Sequence, residues 1–363
     1  MSTILSGTIT AFHLFDVGDT IALPTISERV GTTTPARFAS KQPSPAYVQY
    51  RENPVVVDGS RAGIAAPDGY AVRIKVFDYG VVSVALTRSM PSEWDILLHQ
   101  GAVLYEDAGL ANEAARICRL FLDRIGPAVT RRRNDLLTED YFVFAVTHLE
   151  GEPDAEGVLA THGAAIAQLL RGERERLSSQ ERTEVLRHSL SYVATDLVVP
   201  TWNGAFIYDS ETGVQGALEI LEFANSQLLQ FRYYDVLLDR ELEGIYAQLQ
   251  GPFWAQSWFG RRYSRAARYV QALFVDVSEL TDRTENALKI AGDVYAARLL
   301  ALADARLGLD HWKATVKDKL ETLDAIYRFA VEQTSMTRGE LMELAVVLIL
   351  ILELGLIIAG VMR

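Results

Sequence analysis

The feature that most constrains this chain is an apolar run near its C-terminal end. Residues 344–362 are 19 consecutive positions with one charged side chain, Glu353, and 13 of them are Leu, Ile or Val. At about 1.5 Å per residue, such a helix is roughly 28 Å long, close to the ~30 Å hydrocarbon core of a bilayer. The run therefore predicts a single transmembrane helix that acts as a C-terminal tail anchor.

The carboxylate of Glu353 does not remove this prediction. The aliphatic side chains favour insertion by about 4–8 kcal/mol in total, whereas a central charge opposes it by about 2.5–3.5 kcal/mol. Intramembrane carboxylates usually face protein or an ion path. Three uses of Glu353 stay open: a protonated interhelical hydrogen bond, a pair with a partner membrane protein, or an ion-conducting ring.

Small residues in the same segment indicate helix contacts. Glu353 and Gly360 share one helix face, and Gly355 and Ala359 form a small-xxx-small pair on roughly the opposite face. Together with Glu343 at the start of the run, they are the candidate residues for membrane oligomerisation or partner contact. The expected partners are a second copy of the chain and the lipid bilayer, with a membrane protein as a further alternative.

Composition narrows the remaining classes. A net charge of −12 argues against nucleic acid as a partner, because phosphate binding needs clustered Lys and Arg. The basic run Arg131–Arg133 is short and is typical of a solvated helix end or loop. The single cysteine, Cys118, excludes an internal disulfide and a cysteine-based zinc site. The first residues resemble no leader segment, so the large domain is expected on the cytoplasmic side of a bacterial inner membrane.

Strand and helix patterns predict an α+β fold class. The small N-terminal α+β head covers residues 1–150, with a β-hairpin around Asp78–Gly80 and a flexible loop at 24–60. A mainly helical domain follows over 151–335, and its long helical hairpin turns at 308–310. This hairpin is expected to continue into the transmembrane tail at 336–363.

Both arms of the predicted hairpin carry an apolar stripe with helical spacing. The stripes either bury each other within one subunit or build an oligomer, and the pattern leaves both alternatives open. The stripe residues are Leu288, Ala291, Tyr295 and Leu299 in the first arm, and Trp312, Val316, Leu320, Leu323, Tyr327 and Ala330 in the second.

No pattern in the chain indicates a reaction. His188 and Ser189 are neighbours, but adjacent residues of a helix point in different directions. Asp235 and Asp239 share a helix face and could bind a cation, although a salt-bridged face is the preferred interpretation. We therefore predict no catalytic residue, no cofactor and no metal.

Several phrases resemble the "required for meiotic nuclear division" family of sporulation proteins. They are "KVFDYGVVSVAL", "RHSLSYVATDLVV", "DVYAARLLAL" and "RGELMELAVVLILILELGLI", in which Glu343 and Glu353 match two family glutamates. The resemblance implies an anchored scaffold linked to membrane-associated translation, here in a bacterial relative. The leading hypothesis is a tail-anchored, homo-oligomeric scaffold or adaptor without catalytic activity. The alternatives are an oligomeric ion channel or transporter lined by Glu353, and an enzyme with a site of dispersed residues.

Overall fold

The computed structural model describes residues 2–30, 34–35, 53–249, 260–288, 294–328 and 346–347. These residues form an α+β protein built around a mixed β-sheet. Its eight strands stand in the order β3-β4-β5-β6-β1-β8-β10-β9. The strands are β1 Ile4–Asp16, β3 Thr34–Pro35, β4 Val55–Asp58, β5 Ala71–Val76, β6 Val81–Ser89, β8 Leu137–Leu149, β9 Leu197–Pro200 and β10 Gly204–Tyr208.

The 13-residue strand β1 is central to this sheet. It pairs antiparallel with β6 on one side and with β8 on the other. The β8–β10 pair is parallel, and the chain reaches it through two helices that lie between these strands in sequence. The predicted hairpin around Asp78–Gly80 is the β5–β6 pair, in which Val76 lies opposite Val82. A separate two-stranded sheet joins β2 Thr20–Ile21 to β7 Val129–Thr130.

Nine helices are present in the described ranges. They are α1 Leu23–Val30, α2 Trp94–Tyr105, α3 Ala108–Ile125, α4 Ala155–Arg171, α5 Ser179–Leu186, α6 Glu211–Leu249, α7 Gly260–Leu288, α8 Val294–Leu307 and α9 309–328. Local sequence sets several ends. Asp154 caps α4 by accepting a 2.8 Å hydrogen bond from the Gly157 amide, and Gly172 ends the helix in the left-handed conformation.

The main apolar core lies on one face of the sheet. Alternate residues of a strand point to opposite faces, so Val72, Ile74 and Val76 of β5 join this core while Arg73 and Lys75 point away from it. Helices α3 and α4 cover the apolar face with side chains such as Phe121 and Ile166. Helix α6 packs against the opposite face of the sheet, where Arg73 and Lys75 contact its Glu219.

The described chain divides into two compact units. Unit 1 comprises residues 1–233 and 282–312, and unit 2 comprises residues 234–281 and 313–363. The boundary between them falls inside α6, which contributes residues to both units. Part of the predicted loop at 24–60 consists of α1 and β4, and residues 36–52 lie outside the described ranges.

The predicted transmembrane anchor is wrong. Within the described ranges, no helix combines the length and the apolar character that a membrane crossing requires. The prediction rested on composition and assumed one uninterrupted apolar helix, whereas Val346 and Val347 are the only described residues of that run. The membrane location, the tail-anchor architecture and the ion-channel alternative that depended on them are withdrawn.

The apolar stripes of the predicted helical hairpin are largely buried. Tyr295 and Leu299 are buried within unit 1, whereas the α9 residues Val316, Leu320 and Leu323 are buried within unit 2. Trp312 is half-buried at the end of unit 1. Ala291 and Ala330 lie outside the described residues.

The turn at Gly80 provides a test of the hairpin geometry. Gly80 has φ of 83°, and a Cβ there would overlap the carbonyl oxygen of Gly18. We predict that Gly80→Ala lowers the free energy of unfolding by about 2–5 kcal/mol, from the left-handed conformation and the overlap together. Gly63→Ala is the matched control, since Gly63 has φ of 61° with open space around it, and it should lose only about 1–2 kcal/mol. Equal losses in urea unfolding would contradict this account of the turn.

Candidate functional site

The most unusual site in unit 1 is a line of polar side chains between α6 and the sheet. Residues Glu219, Glu222, Ser226 and Gln230 recur at three- and four-residue spacing along α6, so they share one helix face. All four are buried. We call these residues, together with Gln227 and the sheet-side partners described below, the polar seam.

Lys75 is the centre of the polar seam. Its side chain is completely buried, and its Nζ lies 2.5 Å from Glu222 Oε2 and also contacts Glu219 Oε2. Arg73 approaches from the same strand face, with Nη1 3.3 Å from Glu219 Oε1 and Nη2 3.3 Å from Glu222 Oε2. Two cations therefore face two carboxylates, and the group carries no net formal charge.

The charges in this group stabilise one another. Burial alone would raise the pKa of Glu222, but the nearby charges of Lys75 and Arg73 outweigh burial and hold the pKa below its ordinary value. Glu222 is therefore an ionised carboxylate in the interior. Such a group is tolerated only where cations face it, because an isolated buried charge is strongly unfavourable.

Hydrogen bonds continue the polar seam along α6. The hydroxyls of Tyr79 and Ser226 are 2.7 Å apart, and Gln227 Nε2 donates to the Tyr79 hydroxyl over 3.0 Å. The Ser226 hydroxyl also interacts with its own helix, since its Oγ lies 2.6 Å from the Phe223 carbonyl oxygen. Tyr79 stands at the tip of the β5–β6 hairpin, so these contacts tie that turn to α6.

The far end of the polar seam is built around Asp16, the last residue of β1. Burial raises the pKa of Asp16 to about 7, and the Arg133 charge and the Gln230 amide oppose the rise only in part. Arg133 Nη1 lies 2.5 Å from Asp16 Oδ1, and its Nη2 lies 3.2 Å from Asp19 Oδ1. The Arg133 guanidinium also stacks on the ring of Tyr233 at 3.8 Å.

All three arginines of the basic run 131–133 form ion pairs. Besides Arg133, Arg131 pairs with Asp19 at 3.0 Å and Arg132 pairs with Asp123 at 2.9 Å. Each guanidinium of the run therefore has an aspartate partner.

The structure also places the other residues that the sequence analysis selected. In unit 2, Lys319 Nζ lies 2.6 Å from Asp235 Oδ1 and 2.7 Å from Asp239 Oδ1, so a lysine takes the position considered for a cation. His188 lies 3.8 Å from Glu184. Cys118 is buried, and burial raises the pKa of its thiol. In the described ranges, no group of three or more His, Cys, Asp or Glu side chains is arranged to hold a metal.

The predicted oligomerisation residues of the tail are not placed by the structure. Glu343, Glu353, Gly355, Ala359 and Gly360 all lie outside the described residues. A role within a membrane is withdrawn together with the anchor, and their contact with a second copy or a partner protein stays a prediction from sequence.

Two polar pairs escaped the sequence analysis because their members are distant in the chain. Ser2 Oγ lies 2.7 Å from His162 Nε2, and the His162 ring stacks on Trp94 with centroids 4.5 Å apart. Burial lowers the pKa of His162, so this imidazole is neutral. His13 Nδ1 lies 2.7 Å from Asp140 Oδ1 across the β1–β8 pair. The sequence does carry one signal of the polar seam, which is the recurrence of polar residues at three- and four-residue spacing in an otherwise apolar helix.

The Lys75 ion pairs make a quantitative prediction. Lys75→Met leaves two buried carboxylates facing only Arg73, and we expect a loss of about 3–5 kcal/mol in the free energy of unfolding. Adding Glu222→Gln should recover part of this loss, since Arg73 and Glu219 then remain as a balanced pair. Urea unfolding of both variants measures the difference.

Arg116→Met is the control, because it removes an exposed ion pair with Glu113 and should change the free energy of unfolding little. A Lys75→Met variant as stable as this control would contradict the role given to the Lys75 ion pairs.

Comparison with known proteins identifies a family. Residues 6–215 match the family described as "Uncharacterized protein MJ0711, N-terminal domain". The chain is also 23% identical over 230 residues to Uncharacterized protein MJ0711 from Methanocaldococcus jannaschii, an alignment that covers 62% of this chain and 68% of that protein. No solved structure matches the chain.

These matches correct the resemblance drawn from sequence phrases. Neither of them concerns the "required for meiotic nuclear division" family, so that assignment is wrong. The phrases that suggested it are short, and apolar or β-branched residues dominate the hairpin and tail phrases, as they do in many unrelated proteins. The family match spans more than half of the 363 residues, and the chain belongs to the family of Uncharacterized protein MJ0711, N-terminal domain.

Proposed function

We propose that this protein is a non-catalytic scaffold or adaptor that associates with further copies of itself. The observation that supports this proposal is the polar seam. Its ionised side chains would be the natural candidates for acid–base chemistry, yet Lys75, Glu219 and Glu222 are at most 6% exposed and contact one another. Groups in this arrangement fasten a helix to a sheet.

The helix that the polar seam holds is suited to a scaffold. It is 39 residues long, which corresponds to about 58 Å of continuous helix at ~1.5 Å per residue. Residues 211–233 of this helix belong to unit 1, and residues 234–249 belong to unit 2. We propose that the polar seam in unit 1 holds the helix on the sheet and that unit 2 makes the contact between copies.

Within unit 2, helix α7 has one buried and one exposed face. Val270, Leu273 and Val277 are buried, whereas Val275 is 65% exposed. An exposed valine is by itself ordinary on a protein surface. We propose that Val275 on this exposed face contacts a second copy of the chain.

Light scattering of the full chain after size-exclusion chromatography tests the proposal. We expect a mass of at least two chains of 40.3 kDa each, and we expect Val275→Glu to lower it because a carboxylate disfavours an apolar contact. Ala314→Glu is the matched control, since Ala314 is also exposed in unit 2 but lies on α9 and not on the α7 face, and it should leave the mass unchanged.

A mass of one chain at every concentration from about 1 to 100 μM, a range spanning micromolar dissociation constants, would contradict self-association. An oligomer that is unaffected by Val275→Glu would contradict only the assignment of the contact to α7.

A further inference from the structure

A cavity of about 680 Å³ opens in unit 1, away from the polar seam. Its walls come from α2, α4, the segment 172–178 and α5. This volume lies within the ~300–1,000 Å³ range of small-molecule sites. The cavity has both apolar and charged lining, with Leu98 and Leu177 among the apolar residues and Arg174, Arg176 and Arg182 as the cations.

The cations of this cavity outnumber its carboxylates. Three arginines line it against Asp95 and Glu173, and His99 adds a group that is able to gain a proton. This local excess of positive charge stands out in a chain whose net charge is −12. A positively charged concavity raises the local concentration of anions.

Two carboxylates that do not line the cavity already have arginine partners. Glu106 lies 3.3 Å from Arg174, and Glu181 lies 2.7 Å from Arg171. Arg176 and Arg182 have no carboxylate within ion-pair distance in the part of the chain that the structure describes. Two of the three cavity guanidiniums are therefore without an acidic partner in that part.

Arg182 lies in the wall of the cavity with its guanidinium partly desolvated. Its Nε is buried and has no hydrogen-bond acceptor among the described residues. Because this atom has almost no accessible surface, a ligand would meet the terminal N–H donors of the guanidinium, and a partly desolvated cation favours an anionic partner. Guanidinium groups bind carboxylate and phosphate oxygens through paired N–H donors.

The surrounding segment is held in place. Gln168 Nε2 donates to the carbonyl oxygens of Glu173 and Arg174 at 3.1 and 3.3 Å. Ser178 caps α5 by accepting a 3.1 Å hydrogen bond from the Glu181 amide. These bonds fix the backbone on both sides of Arg176, and an ordered backbone lowers the entropic cost of binding.

We propose that this cavity binds a small organic anion, in which a phosphate or carboxylate group pairs with Arg182 and Arg176 and an apolar body rests on Leu98 and Leu177. The site is independent of the scaffold role. It would give the protein a ligand-binding activity within unit 1.

Isothermal titration calorimetry of the full chain tests the proposal with three probes of similar size: phenyl phosphate, benzoate and uncharged benzyl alcohol. We expect binding of at least one anion and none of benzyl alcohol. Arg182→Met should weaken binding of that anion by about 10- to 100-fold, the range expected for loss of a charged hydrogen bond. The stronger of the two anions identifies the head group.

Two further variants keep the test decisive. Arg187→Met is the matched control. Arg187 is an exposed arginine at the end of α5 that pairs with Glu184 and does not line the cavity. This variant should bind the anion as tightly as the wild type does. If Arg182→Met fails to fold, Arg176→Met removes an exposed cation of the cavity and should weaken binding in the same direction. Absence of binding by both anions, equal binding of benzyl alcohol, or equal losses in the cavity variants and Arg187→Met would overturn the proposal.

Discussion

The buried ammonium of Lys75 is the constraint on which the arrangement of α6 depends. A lysine in the interior needs carboxylates beside it, because a buried charge without a partner is strongly unfavourable. Glu219 and Glu222 supply them from one face of α6. A shift of the helix along the sheet would separate these charges, so the ion pairs select a single position for the helix.

The two faces of the sheet consequently have different chemistry. On one face, apolar side chains from β1, β5, β6 and β8 join those of α3 and α4 in the main core. On the other face, Arg73, Lys75, Tyr79 and Asp16 meet polar groups of α6. Buried apolar side chains such as Phe12 and Leu14 also lie on this second face. Apolar packing tolerates rearrangement more readily than paired charges do. We infer that apolar packing on both faces supplies most of the stability and that the polar seam supplies the specificity of α6.

Local patterns and distant contacts differed in how well they could be predicted. The β5–β6 hairpin could be predicted because Asp78–Gly80 interrupts two β-rich runs. The polar seam could not, since Lys75 and Glu219 are 144 residues apart in the chain. The cavity arginines looked like ordinary surface charge for the same reason. The transmembrane prediction rested on a count of apolar residues, and no described helix is long and apolar enough to cross a membrane.

The family match ends at residue 215, just after α6 begins, so it includes the sheet side of the polar seam but not Glu219 and Glu222. The central claim is that these two glutamates hold α6 on the sheet, and hydrogen–deuterium exchange of the full chain tests it most directly. We predict that the amides of residues 217–231 exchange as slowly as those of β1, because both segments exchange only when the whole chain unfolds. Exchange of 217–231 many times faster than β1, which would reveal a helix that detaches while the sheet stays folded, would contradict it.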